Sequence, residues 1–157
     1  MRLGELGELK HGYNEMTTRH SDMLMDIGYQ EMDANEIVEF EDALQETAFV
    51  IVTGKVEITW DGKTEVMHRD SIFDENPFCL HVPHGKKVVI KALTVSEVLI
   101  QKTVNENDFE PVFYRPEDVQ CDIFGQGVWN STAERTVRTI FDYDNAPYSN
   151  MVNGEVI

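Results

Sequence analysis

The side chains here that could ligate a metal or move a proton are five histidines, two cysteines and a large excess of acids. A metal centre built on β-strands needs two imidazoles two positions apart, so that both leave the same face of the strand. A carboxylate and a third imidazole from neighbouring strands then close the site around a divalent ion. The nearest spacing is Glu39-Phe40-Glu41, then Glu46, then Gly54, and acids stand where the imidazoles are needed. Downstream, Pro83-His84-Gly85 is followed by Val88, and no further histidine follows in the chain. Glu39, Glu41 and Glu46 offer oxygens of the kind calcium or magnesium accepts. In so acidic a chain, alternating glutamates read more simply as a solvated strand face.

The remaining candidates fail the same test. His81 and His84 sit on either side of Val82-Pro83, and at that spacing they project differently. With His68 they make a three-histidine site only by tertiary coincidence, so they read as polar turn and edge residues. Arg135 and Arg138 lie three apart, which on a strand turns them to opposite faces and suits surface or docking roles. Cys79 and Cys121 show no C-x-x-C pattern and read as buried thiols in a reducing compartment. No glycine-rich phosphate loop, serine nucleophile elbow or Cys–His pair is present. The expectation is a chain with no catalytic, cofactor-binding or metal-ligating residue of its own.

The elements that would position these residues are strands. Phe49 to Trp60 is rich in β-branched and aromatic residues, interrupted by Thr53-Gly54 and ended by the hairpin signal Asp61-Gly62. Met23, Met25, Ile27 and Tyr29 alternate with Asp26, Gly28 and Gln30, a period of two. Further runs lie at 36–40, 48–52, 55–60, 64–68, 79–82, 88–93, 98–103, 112–114 and 119–124. Turn residues separate them at Asp33-Ala34-Asn35, Asp74 to Pro77 and Asn105 to Asp108. Many short strands at such spacing predict an all-β sandwich or jelly roll. Residues 1–21 are polar and read as an exposed arm, 22–124 as the barrel and 125–157 as a connector. In the connector, Ser131 to Glu134 could cap a helix, but Arg135 to Ile140 reads as a strand.

The chain has 157 residues, enough for one domain with one core, and its 41% hydrophobic content fits a globular protein. A formal charge of −16 repels phosphate backbones and anionic membranes, so neither is an expected partner. It would also repel a free sugar acid unless a metal or basic pocket offsets the field. The first residues carry no apolar signal core and no run reaches membrane-spanning length, which predicts a cytoplasmic protein. Asn130-Ser131-Thr132 fits a glycosylation pattern that would then be silent.

Thr53-Gly54, Asp61-Gly62 and Pro83-His84-Gly85 resemble the hairpins of a cupin, a small jelly roll or double-stranded β-helix, here with a short C-terminal strand extension. A longer series resembles one family over most of residues 12–157. It comprises Ser21-Asp22, Val52 to Val56, Ser71-Ile72-Phe73, Val82 to Gly85, Pro116 to Val119, and Arg135 to Arg138. In order and spacing these resemble the N-terminal half of 5-deoxy-glucuronate isomerase of inositol catabolism, akin to the 5-keto-4-deoxyuronate isomerases. That resemblance implies two cupin-type halves, with a divalent metal on His, His, Glu and His of the second half only. None of those ligands maps onto a residue of this chain, and Gly154 to Ile157 reads as a strand cut short.

Two main functions follow. The chain is the N-terminal lobe of such an aldose–ketose isomerase, non-catalytic alone, with a sugar acid at a shared cleft. Alternatively it is a free-standing, metal-free cupin that binds a small ligand or a protein. A third reading, an independent enzyme using Glu39, Glu41, Glu46 and His81 or His84, is the weakest. The apolar end Val156-Ile157 predicts a homodimer.

Overall fold

The computed structural model describes residues 9–157 and is built almost wholly of strands. In chain order these are β1 (Gly12–Thr17), β2 (Asp26–Met32), β3 (Ile37–Phe40), β4 (Gln45–Trp60), β5 (Lys63–Arg69) and β6 (Cys79–Val82). They continue with β7 (Val88–Ala92), β8 (Ser96–Val104), β9 (Val112–Tyr114), β10 (Gln120–Phe124), β11 (Arg135–Phe141) and β12 (Asn153–Val156). A nine-stranded antiparallel system contains β1 to β9, and β10-β11-β12 form a separate three-stranded sheet.

Strand β4 is the spine. Its first part, from Gln45 to Thr53, pairs with β6 and β8, and its second part, from Gly54 to Trp60, pairs with β5 and β7. The sequence predicts two strands with a break at Thr53-Gly54; the chain instead runs through. The register against β8 slips between Ile51 and Thr53, and Gly54 takes φ +92°. A Cβ at position 54 would run into the Val95 carbonyl and Ser96. This bulge switches the inward-facing positions from Phe49 and Ile51 to Val56, Ile58 and Trp60. One strand thereby serves both walls of the barrel. The Asp61-Gly62 turn forms as expected, with Trp60 opposite Lys63 and both turn residues at positive φ.

The inward faces pack into one apolar core that includes Met32, Phe49, Ile58, Met67, Leu80, Ile90 and Ile100. A second core lies on the other face of β4 and β6, where Ala48, Val50 and Cys79 meet Tyr114, Val119, Ile140, Phe141 and Met151. The C-terminal sheet therefore covers the barrel wall as an outer layer.

Three boundaries differ from those predicted. Residues 12–17, expected in an exposed arm, form β1 and pair with β2; the arm's first eight residues lie outside the described ones. The first predicted strand starts late, at Asp26, because Ser21 to Leu24 make a turn with Leu24 at φ 55°. Residues 120–124, expected in the barrel, pair with β11 in the outer sheet, so the division at 124 and 125 cuts through a hairpin. Residues 135–141 are a strand, as the β-branched run predicts.

Candidate functional site

A strand-borne metal centre of the expected kind requires imidazoles and a carboxylate on the inner face of the barrel. Its buried positions carry an apolar cluster together with Gln30, Gln45, Thr47 and Arg69, and among the described residues no imidazole or carboxylate is buried there. The donor set does not fit such a metal. Near the barrel mouth a void of about 30 Å³ among Gln45, Thr47, Phe49, Lys86 and Lys102 has room for little more than a water molecule.

The glutamates expected on a solvated face divide. Glu39 and Glu41 are exposed, Glu39 pairing with Lys87 at 2.8 Å. Glu46 is buried, which corrects the prediction. It shares the strand parity of Ala48 and Val50, so it points into the layer beneath the C-terminal sheet. There it accepts hydrogen bonds from Asn105 Nδ2 at 2.9 Å, Ser149 Oγ at 3.1 Å and the Asn150 amide at 2.8 Å. The ring Nε2 of His81 lies 3.2 Å away. Burial alone would raise the Glu46 carboxyl, but the His81, Asn105 and Asn150 hydrogen bonds outweigh it and hold the group below its ordinary range.

His81 is likewise not an edge residue. It pairs across from Ala48, is fully buried, and stacks on Phe141 at 4.3 Å with an interplanar angle of 7°. Phe109 flanks it at 4.7 Å, and its Nδ1 has no partner. His84 sits in the following turn, 3.6 Å from Asp108, and His68 lies on β5 against Phe78 at 5.1 Å. The three histidines do not converge.

Arg138, expected in a surface or docking role, is buried and takes the docking one, in a cluster whose members the sequence reasoning did not bring together. Arg69 and Arg138 share Glu155, at 3.0 Å from Arg69 Nη1 and 2.8 Å from Arg138 Nη1. Both also donate to the carbonyls of Ile72 and Glu75, and Arg138 reaches Phe73 O at 2.8 Å. Two guanidinium groups thus bind a loop from the barrel and a strand from the outer sheet through one carboxylate. The available signal was Arg69 itself, two positions from the buried Met67 on the inward parity of β5. Arg135 remains exposed over the Phe124 ring, 5.7 Å from its centroid.

The clamped loop forms one side of an opening along this seam. A cleft of about 350 Å³ is lined by His68, Asp74, Glu75, Asn76, Phe78 and Pro116. Asp70 and Ser71 amides bond the Glu75 carboxylate and lower its pKa, and Ser71 Oγ holds Asp74 at 2.6 Å. Asn76 bridges to Pro116 O at 3.0 Å and accepts from the exposed Cys121 thiol at 3.3 Å. Cys79, by contrast, is fully buried, and burial pushes its thiol well above the usual range. The cleft has the volume of a small-molecule site, fixed acceptors and an apolar wall.

Comparison with known proteins places these features. A model of the KduI/IolB family matches residues 5–157. An IolB-like protein from Salmonella typhimurium LT2 superposes with a TM-score of 0.77 at 15% identity, over 88% of this chain and 53% of that one. The chain thus spans about half the length of that protein. The cupin domain of Schizosaccharomyces pombe Cnp3 superposes with a TM-score of 0.50 at 18% identity, over 64% of this chain and 67% of that one. The barrel is a cupin-like jelly roll. Comparison with curated protein sequences gave no match.

Proposed function

Because this chain belongs to the KduI/IolB family, we propose that it serves as the non-catalytic cupin lobe of a sugar-acid isomerase. The observation that supports this reading is the barrel interior, whose buried positions hold apolar side chains with Gln30, Gln45, Thr47 and Arg69 and, among the described residues, no imidazole or carboxylate. The parent reaction is an aldose–ketose interconversion of a deoxy uronic acid. A divalent ion would supply Lewis-acid polarisation of the carbonyl and hydroxyl oxygens in such a reaction, and among the described residues the buried inner face of this barrel offers no imidazole or carboxylate to hold it. That ion belongs to a second, histidine-bearing half. This chain's own contribution is mechanical: the seam between barrel and outer sheet is locked by Glu46 and by the Arg69–Glu155–Arg138 cluster. The lock presents Asp74, Glu75 and Asn76 at fixed positions along one wall of a shared cleft.

The setting follows the same logic. A reducing, cytoplasmic compartment suits a chain whose two cysteines are free, and among the described residues no helix is long and apolar enough to cross a membrane. A homodimer suits the outer sheet, whose edge strands β10 and β12 each pair only with β11 among the described residues and leave Phe124 and Val156 exposed. The cleft also supports a second reading, a free-standing module that binds a ligand without turnover. An assay of 5-deoxy-glucuronate and 5-keto-4-deoxyuronate isomerisation by the chain alone, with manganese, iron or zinc supplied, tests the main reading. No turnover above background is expected, and metal-dependent turnover by the chain alone overturns it.

A further inference from the structure

A second group of ligating side chains lies at the opposite end of the first strand pair. His11 precedes β1, and Asp33 and Glu36 belong to the turn between β2 and β3. That turn is held on every side. Glu36 N donates to Asp33 O at 3.1 Å, and Asp33 N returns a bond to Glu36 Oε2 at 2.7 Å. Asn35 N and Glu36 O both bond Ala92 at the end of β7, at 2.8 and 2.9 Å. The two carboxylates are therefore presented by rigid backbone, and the His11 ring reaches across to Glu36 Oε1 at 3.0 Å. One ligand atom from each of the three residues lies within 4.8 Å of the others. Ligands around a zinc-sized ion sit about 3.0–3.5 Å apart at metal distances near ~2.1 Å, so side-chain rotation alone closes the set.

Two further observations favour an ion here. An opening of about 140 Å³ lies beside the triad, lined by His11, Asp33, Glu31, Ser96 and Glu97 among others. Glu31 and Glu97 stand directly opposite each other across β2 and β8, a like-charge pairing that weakens a sheet unless a cation relieves it. Among the described residues no lysine or arginine pairs with Glu31, Asp33, Glu36 or Glu97. Among the described residues, the ion pair these four carboxylates make is that of Glu36 with His11.

We propose that His11, Asp33 and Glu36 form a binding site for a divalent cation of the zinc class, fastening the first strand to the β2–β3 turn. One nitrogen and two carboxylate oxygens suit a borderline ion such as zinc or cobalt(II) better than a soft one. Glu31 and Glu97 supply the outer negative field. The site is independent of the barrel interior and of the proposed isomerase role.

Calorimetric titration of the chain with zinc, and visible spectroscopy with cobalt(II), test the site. One equivalent is expected to bind, with affinity reduced roughly tenfold or more, about 1.4 kcal/mol, in His11→Ala and in Asp33→Asn. Neither substitution removes a packed side chain, and circular dichroism verifies that both variants fold. His84→Ala, beside the exposed Asp108, should bind as the parent does. Absence of binding to the parent chain overturns the proposal, and so does equal affinity in the parent and both variants.

Discussion

At Glu46 the chain buries a carboxylate and surrounds it with hydrogen-bond donors drawn from three separate segments. Replacing it with alanine strands the donor of buried Asn105 and the part-buried donors of Ser149 and Asn150. The expected loss is about 2–4 kcal/mol of unfolding free energy, read by urea denaturation. The pH dependence has a definite sign. Its folded carboxyl lies below the ordinary value of 4.5, so its stabilisation is present above 4.5 and fades as pH falls through the folded value. Glu46→Gln should flatten the acid limb of a stability profile, and an unchanged limb would place the acid sensitivity elsewhere. Little of this was legible in the sequence. Glu39, Glu41 and Glu46 look alike as letters, but only Glu46 lies under a second layer contributed by residues a hundred positions away. Arg138 was hidden for the same reason: its partners Ile72, Phe73 and Glu75 are remote in sequence.

Among the elements, local signals succeeded where the structure they encode is local. Asp61-Gly62 supplies a two-residue hairpin, and the β-branched run at 135–141 supplies a strand. Thr53-Gly54 misled because one glycine at positive φ serves equally as a turn or as a bulge, and the choice is made by Val95 and Ser96 across the sheet. This difference is measurable. Gly54→Ala should destabilise by at least ~3 kcal/mol, from left-handed strain plus the clash with the Val95 carbonyl. Gly62→Ala meets open space and should cost only about 1–2 kcal/mol. Equal losses in chemical denaturation would remove the special role assigned to Gly54.

The whole molecule is a jelly roll with a filled interior and a second layer latched to its outside. Its all-β character was readable from strand spacing. The outer layer was not, because β10 looks like a last barrel strand until its pairing with β11 is seen. The exposed edges of the outer sheet, with Phe124 on β10 and Val156 on β12, predict a dimer in sedimentation velocity at micromolar concentration, and a monomer across that range would show the edges protected without a partner. The packed barrel is open to a more direct test. Crystals of the chain soaked in zinc or manganese and measured at the metal's absorption edge locate every bound ion by anomalous scattering. No peak is expected among Phe49, Ile58 and Ile90; an ordered ion there would contradict the account at its centre.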